Sequence, residues 1–210
     1  MRATFLIMVS FLLLTGCDSL RTSISSEQTT MKEIVLTENE QVIFSMLADQ
    51  IFYFDFTDDS GDFQTIEVGV DYFHYGNLVE SLPGMTMATN DRESELRDER
   101  ARFLFTMNKE EKDNHLEMNG TLKILFDSGS SGSSTYSFTR EGAEVGALSR
   151  GYLIDRLDHI PIGEKIYVAY YVENSDSFIR AFDHELALKP NDDYEHVLFY
   201  YVKMDNELKE

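Results

Sequence analysis

The chain holds one cysteine, three prolines and no tryptophan among 210 residues, and its 18 basic residues face 38 acidic ones. Each shortage excludes something. A lone thiol cannot close an intramolecular disulfide, so the folded part depends on a packed core even in oxidising surroundings. Without tryptophan the chain lacks the strongest aromatic platform for a sugar ring, and only tyrosine is left to substitute. A formal charge of −20 opposes nucleic acid, whose binding depends on Lys and Arg displacing phosphate counterions. It also opposes anionic lipid and wall polymers. Such a charge suits solubility, cation binding or docking onto a basic partner. Long apolar runs are missing as well: residues 3–14 form the longest, whereas a helix needs roughly 20 apolar residues to cross a ~30 Å hydrocarbon core.

What is present begins with MRATFLIMVSFLLLTGCDSL. Arg2 and the short apolar stretch, which shows no polar residues at a 3.6 period, fit the core of a secretory signal that is removed rather than folded. Leu14-Thr15-Gly16-Cys17 resembles the lipobox of bacterial lipoprotein precursors, in which a branched residue and two small ones precede a cysteine. The resemblance implies that the Cys17 thiol carries a diacylglyceryl group and that residues 1–16 are lost. Cys17 is then an anchor, not a nucleophile, metal ligand or disulfide partner. Each buried methylene contributes ~0.8 kcal/mol, so one acyl chain holds a protein marginally and two hold it stably. Asp18 resembles the retention signal of Gram-negative inner-membrane lipoproteins, and a Gram-positive cell has a single membrane to offer. Both cases imply the outer face of the cytoplasmic membrane.

Residues 17–30 are polar and rich in Ser and Thr, which reads as a flexible tether. Residues 31–210 then supply one domain whose dominant period is two, the mark of half-buried strands. Phe52, Phe54 and Phe56 alternate with Tyr53, Asp55 and Thr57, and Ile66, Val68, Val70 and Tyr72 alternate with Glu67, Gly69 and Asp71. Turn residues 58–62 between them predict a hairpin. A second hairpin is expected between residues 102–107 and 115–126 across a charged loop at 108–114. Residues 165–172 and 194–204 read as further strands. The pattern predicts an all-β, antiparallel β-sandwich of jelly-roll or immunoglobulin-like type. Residues 90–102 read as a short exposed helix or a solvated excursion, residues 127–134 as a loop, and residues 178–189 as a strand rather than a helix.

Most chemical motifs fail on one residue. Asp55, Asp58, Asp59, Asp62 and Glu67 crowd one expected turn and are the candidate calcium ligands, since Ca²⁺ takes six to eight hard oxygens; as an EF-hand the stretch fails because Phe56 occupies the first position. His184-Glu185 starts a zinc-protease helix but Leu188 stands where the second histidine belongs. Gly129-Ser130-Ser131-Gly132 is one residue short of a nucleophile elbow. The five histidines show no ligand spacing along the sequence. The aromatic stretch 71–77, with Tyr72, His74 and Tyr75, joins Tyr167 and Tyr171 as the expected ligand surface, because exposed tyrosines combine contact area with a polar tip. The sequence therefore reads as a membrane-anchored extracytoplasmic lipoprotein, a non-catalytic binding or accessory module for an envelope protein or basic partner. The alternative is an extracytoplasmic hydrolase using carboxylates, with or without metal assistance. No cofactor is expected apart from the calcium candidate.

Overall fold

The computed structural model describes residues 29–59, 63–88, 99–142, 145–176, 178–179 and 181–207. Cys17, the lipobox, most of the tether and Asp62 lie outside the described residues, as does most of the stretch 90–102. Along the chain the elements are β1 (Thr29–Glu33), α1 (Glu38–Ser45), β2 (Gln50–Asp58), β3 (Thr65–His74), β4 (Asn77–Ala88), β5 (Glu99–Lys112), β6 (His115–Phe126), β7 (Ser131–Glu141), β8 (Ala147–Tyr152), β9 (Arg156–Asp158), β10 (Lys165–Asn174), α2 (His184–Ala187) and β11 (His196–Asp205). They form two antiparallel sheets, one of order β7-β6-β5-β2-β1-β9 and one of order β4-β3-β11-β10-β8. The all-β sandwich expected from the alternation is what the chain adopts.

The period-two residues build the space between the sheets. Phe52, Phe54 and Phe56 of β2 and Phe103, Phe105 and Met107 of β5 are buried against Ile66, Val68 and Val70 of β3 and Leu198, Tyr200 and Val202 of β11. Burying a side chain of this kind contributes about 1.5–3 kcal/mol relative to leaving it exposed, so this interior dominates the stability. Tyr136 and Tyr200 bring polar atoms into it, and each satisfies the other through a hydroxyl–hydroxyl bond of 2.9 Å.

Alternation identified strands but not their partners. Residues 52–56 and 66–72 do not form a hairpin: β2 is paired with β1 and β5, whereas β3 is paired with β4 and β11, so the segment between them crosses from one sheet to the other. The second hairpin forms: its second strand, His115–Phe126, has the expected bounds, and its first extends to Glu99–Lys112 in place of residues 102–107. Only Asp113 and Asn114 make its turn, both at positive φ (45° and 72°), the backbone of a two-residue turn that matches strand twist. Residues 131–134, expected in a loop, open β7 opposite β6.

Residues 178–189 are neither a strand nor a full helix. Only His184–Ala187 is helical, begun by Asp183, whose Oδ1 accepts from the Glu185 and Leu186 amides. Ile179, Phe182, Leu186, Ala187 and Leu188 of this segment cover the outer face of the second sheet, whereas Phe178 is exposed. Phe182 stacks on Tyr170 at 3.8 Å, and Ala187 and Tyr194 are buried with Phe73, Val197 and Phe199. Lower on that face the buried carboxylate of Asp71 accepts from Ser81 (2.7 Å), Lys165 (2.9 Å) and Tyr167 (2.8 Å).

Gly69 shows why one strand position must be small. The Tyr201 ring of β11 lies where a β-carbon at residue 69 would stand, and its hydroxyl reaches Glu67 at 3.0 Å. Gly69→Val is expected to displace the ring and destabilise the fold by about 1–3 kcal/mol. Urea unfolding of the purified variant measures it; an unchanged midpoint would show the ring has room to move.

Candidate functional site

The sandwich has two unlike ends. β2 runs from Gln50, opposite Met107, to Asp58, opposite Thr29, so the chain enters the described fold at the Asp58 end. That end is closed largely by apolar side chains, among them Phe56, Phe63, Phe126 and Ile160. The Gln50 end is polar. Lys109 of β5 and Arg140 of β7 reach across from the first sheet to Glu173 of β10 in the second, at 2.9 and 3.1 Å. Glu173 is fully buried, and the Tyr171 hydroxyl donates to it as well. Arg140 also donates to the carbonyl of Gly142 (2.7 Å), while its Nε is buried with no partner among the described residues.

Beside this network, register fixes a second group. His74 at the end of β3 is the cross-strand partner of His196 at the start of β11, and His196 is in turn opposite Glu173. The two imidazoles lie 4.9 Å apart between centroids with their planes 19° from parallel. Nδ1 of His196 shares a 2.7 Å hydrogen bond with the Tyr72 hydroxyl, and its Nε2 stands 3.4 Å from Oε1 of Glu195.

Glu195 is held from three sides. Its amide donates to Asn174, its carbonyl accepts from the Tyr75 amide, and Oε2 accepts from the Ser175 amide at 2.8 Å. His74, Glu195 and His196 each offer one ligand atom, all within 4.8 Å of one another; among the described residues they are the one such group of three.

The electrostatics follow from the packing. Burial, then the Arg140 charge, push the His196 imidazolium down to about 4, so the ring is neutral at physiological pH. Burial raises the Glu195 carboxyl, but the Ser175 hydrogen bond and the adjacent imidazoles more than offset it and leave it below the usual range. Burial lifts the Tyr72 phenol to about 12, which keeps its proton in place for hydrogen bonding.

The expected ligand surface is partly assembled. Tyr72, His74 and Tyr75 gather at the polar end, where Tyr75 and Gly76 make a two-residue turn with φ of 47° and 72°. Tyr167 and Tyr171 do not share a face. The β10–β11 register shifts between Tyr167 and Ala169, and this bulge puts Tyr171 in the interior and Tyr167 on the outer side with Phe199 and Tyr201.

The calcium candidates do not converge among the described residues. Asp55 projects from the outside of the first sheet, where it meets Lys32 at 3.5 Å, and Glu67 projects from the outside of the second, where it accepts from Tyr201. Asp58 is buried and accepts from the Phe63 amide at 3.5 Å. Asp59 is exposed beyond the end of β2.

Sequence reasoning passed over Glu173, Arg140, Lys109, Glu195 and His196. One signal was available: Glu173 is a lone acid ending an otherwise apolar strand, VAYYVE. The histidine pair had none, because 122 positions separate its members.

The polar end is also where α1 lies, joining β1 to β2. Val42, Ile43, Met46 and Leu47 in and just after this helix, with Val35 before it, are each more than half exposed.

Residues 30–204 match the family model of the YgaN domain, a span from the second residue of β1 to Met204 of β11. The chain belongs to the YgaN domain family. No curated protein and no solved structure matches it. The polar end of the YgaN domain is thus built from β3, β5, β7, β10 and β11, all within the matched span.

Removing one partner from a buried ion pair leaves the others desolvated and unpaired. Glu173→Ala is accordingly expected to destabilise the YgaN domain by about 3 kcal/mol or more, with urea unfolding at neutral pH as the measurement. A loss under about 1 kcal/mol, the worth of an exposed pair, would mean that the network does not hold this end together.

Proposed function

We propose that the chain is a membrane-anchored extracytoplasmic lipoprotein whose YgaN domain is a non-catalytic binding module. The observation that carries this reading is the lipobox ending at Cys17, followed by a short polar tether and then by the family match from residue 30. The arrangement of the fold is consistent with it. The tether joins the sandwich at the Asp58 end, which leaves the polar end, with α1 and the histidine pair, directed away from the anchor. The acidic balance fits a basic or cationic partner in the envelope and keeps the domain from lying flat on anionic lipid. Asp18 favours the outer face of the cytoplasmic membrane as the place of work.

The anchor is tested by growing cells with an alkyne analogue of palmitate. The full-length chain is expected to incorporate the label and to sediment with membranes, and Cys17→Ser is expected to lose both. Mass spectrometry finding the natural chain with a free Cys17 thiol and residues 1–16 retained would overturn the reading.

A further inference from the structure

We propose that His74, Glu195 and His196 form a three-ligand site for a divalent transition metal of the Zn²⁺ class, with a fourth position open at the polar end of the sandwich. The proposal names the ligand class of the binding module and so rests on that reading for its biological setting, although the site itself stands on geometry within the domain.

Three observations carry it. The first is a distance. Nε2 of His196 and Oε1 of Glu195 are 3.4 Å apart, longer than a good N–H···O bond of about 2.7–3.2 Å. Zinc–nitrogen and zinc–oxygen bonds of about 2.0–2.2 Å at the tetrahedral angle hold their donors about 3.4 Å apart. The pair therefore has the spacing of two ligands on one ion.

The second observation is the outer shell. A metal-binding imidazole is normally oriented by a hydrogen bond at its other nitrogen, and a ligating carboxylate by a bond at its other oxygen. Nδ1 of His196 is engaged by the Tyr72 hydroxyl at 2.7 Å, and Oε2 of Glu195 by the Ser175 amide at 2.8 Å. Both ligand atoms are thus aimed while their second atoms are occupied. In the metal-bound form a proton on Nδ1 of His196 would point at the Tyr72 oxygen, and the Nε2 lone pair would go to the ion.

The third is the remaining ligand, whose nitrogens are not committed elsewhere. His74 is half-buried beside the Tyr75-Gly76 turn, its ring stacked on His196 and against Tyr75 with no hydrogen bond from its nitrogens to the described residues. Its ligand atom lies within 4.8 Å of the other two, and metal binding requires this ring to turn about its side-chain bonds. The cation of Arg140, which His196 feels, is compensated by Glu173 and by the Gly142 carbonyl. Two imidazoles and one carboxylate suit zinc and its transition-metal neighbours and not Ca²⁺, which prefers six to eight oxygens.

The test uses the full-length chain without an affinity tag, carrying Cys17→Ser to remove its one thiol, stripped with EDTA and titrated calorimetrically with Zn²⁺. One equivalent is expected to bind, with the unfolding midpoint rising as the site fills. Millimolar Ca²⁺ should not compete, and Co²⁺ in the same site should show the intense visible absorption of a tetrahedral complex. His74→Gln and Glu195→Gln are each expected to abolish stoichiometric binding. Tyr72→Phe, which keeps the ring and loses the hydroxyl, is expected to weaken it about tenfold, and His184→Gln to leave it unchanged.

His74 is peripheral to the core, so His74→Gln remains informative if a more buried variant fails to fold. The absence of a saturable equivalent, or binding that persists unchanged in folded His74→Gln, would overturn the proposal. Zinc binding by a chain that is never lipidated would remove the anchored reading and leave the site. Lipidation without zinc binding would do the reverse.

Discussion

A carboxylate with no exposure to solvent, that of Glu173, sets the terms for one end of this sandwich. Moving a charge from water into a protein interior costs several kcal/mol even after relaxation, and the cost is offset only when partners with good geometry surround it. Here the partners arrive from two strands of the opposite sheet, Lys109 and Arg140, and from the same strand, Tyr171. The two sheets are thereby tied at a fixed spacing where side chains are polar, complementing the apolar contact that holds them elsewhere. Arg140, held by Glu173, also acts on His196, and its charge helps keep that ring neutral. The character of the exposed pole follows from the need to neutralise one buried acid.

Alternating hydrophobicity made the strands legible because each has one face in the common interior. The inward-facing apolar residues of β6, Leu116, Met118, Leu122, Ile124 and Phe126, are all buried, as the pattern requires. Partner choice was not legible, because a strand's pattern records which face is buried and not which neighbour it joins. For that reason alternation alone makes β2 and β3, contiguous in sequence, look like a hairpin although they belong to different sheets. Parity also misled where the backbone breaks it: one bulge in β10 suffices to send Tyr167 and Tyr171 to opposite sides. The segment 178–189 was misread for a different reason. Most of its apolar residues, Phe182 and Ala187 among them, cover a sheet face from outside, a task that imposes neither helical nor strand periodicity.

The candidate site was the least legible part. Tyr72, His74 and Tyr75 drew attention as an aromatic cluster, but their significance comes from His196 and Glu195, which only the β3–β11 register brings near. A site assembled by strand pairing leaves no local spacing to recognise, in contrast to a zinc-protease helix, whose two histidines lie one turn apart. Of the acidic candidates, which did have a local signature, Asp55 and Glu67 stand on different sheets because β2 and β3 do.

The small residue at position 76 has a wider reach than its turn. A side chain there would collide with the backbone of Lys189, and the Asn191 amide donates to the Tyr75 carbonyl at 3.1 Å. The turn that carries His74 is therefore clasped by the outer covering of the second sheet, the layer that Phe182 and Tyr194 fasten to Tyr170 and Phe199. The imidazole and that layer thus share one set of backbone contacts, and loosening of the layer would free the turn as well, a change that amide exchange reports.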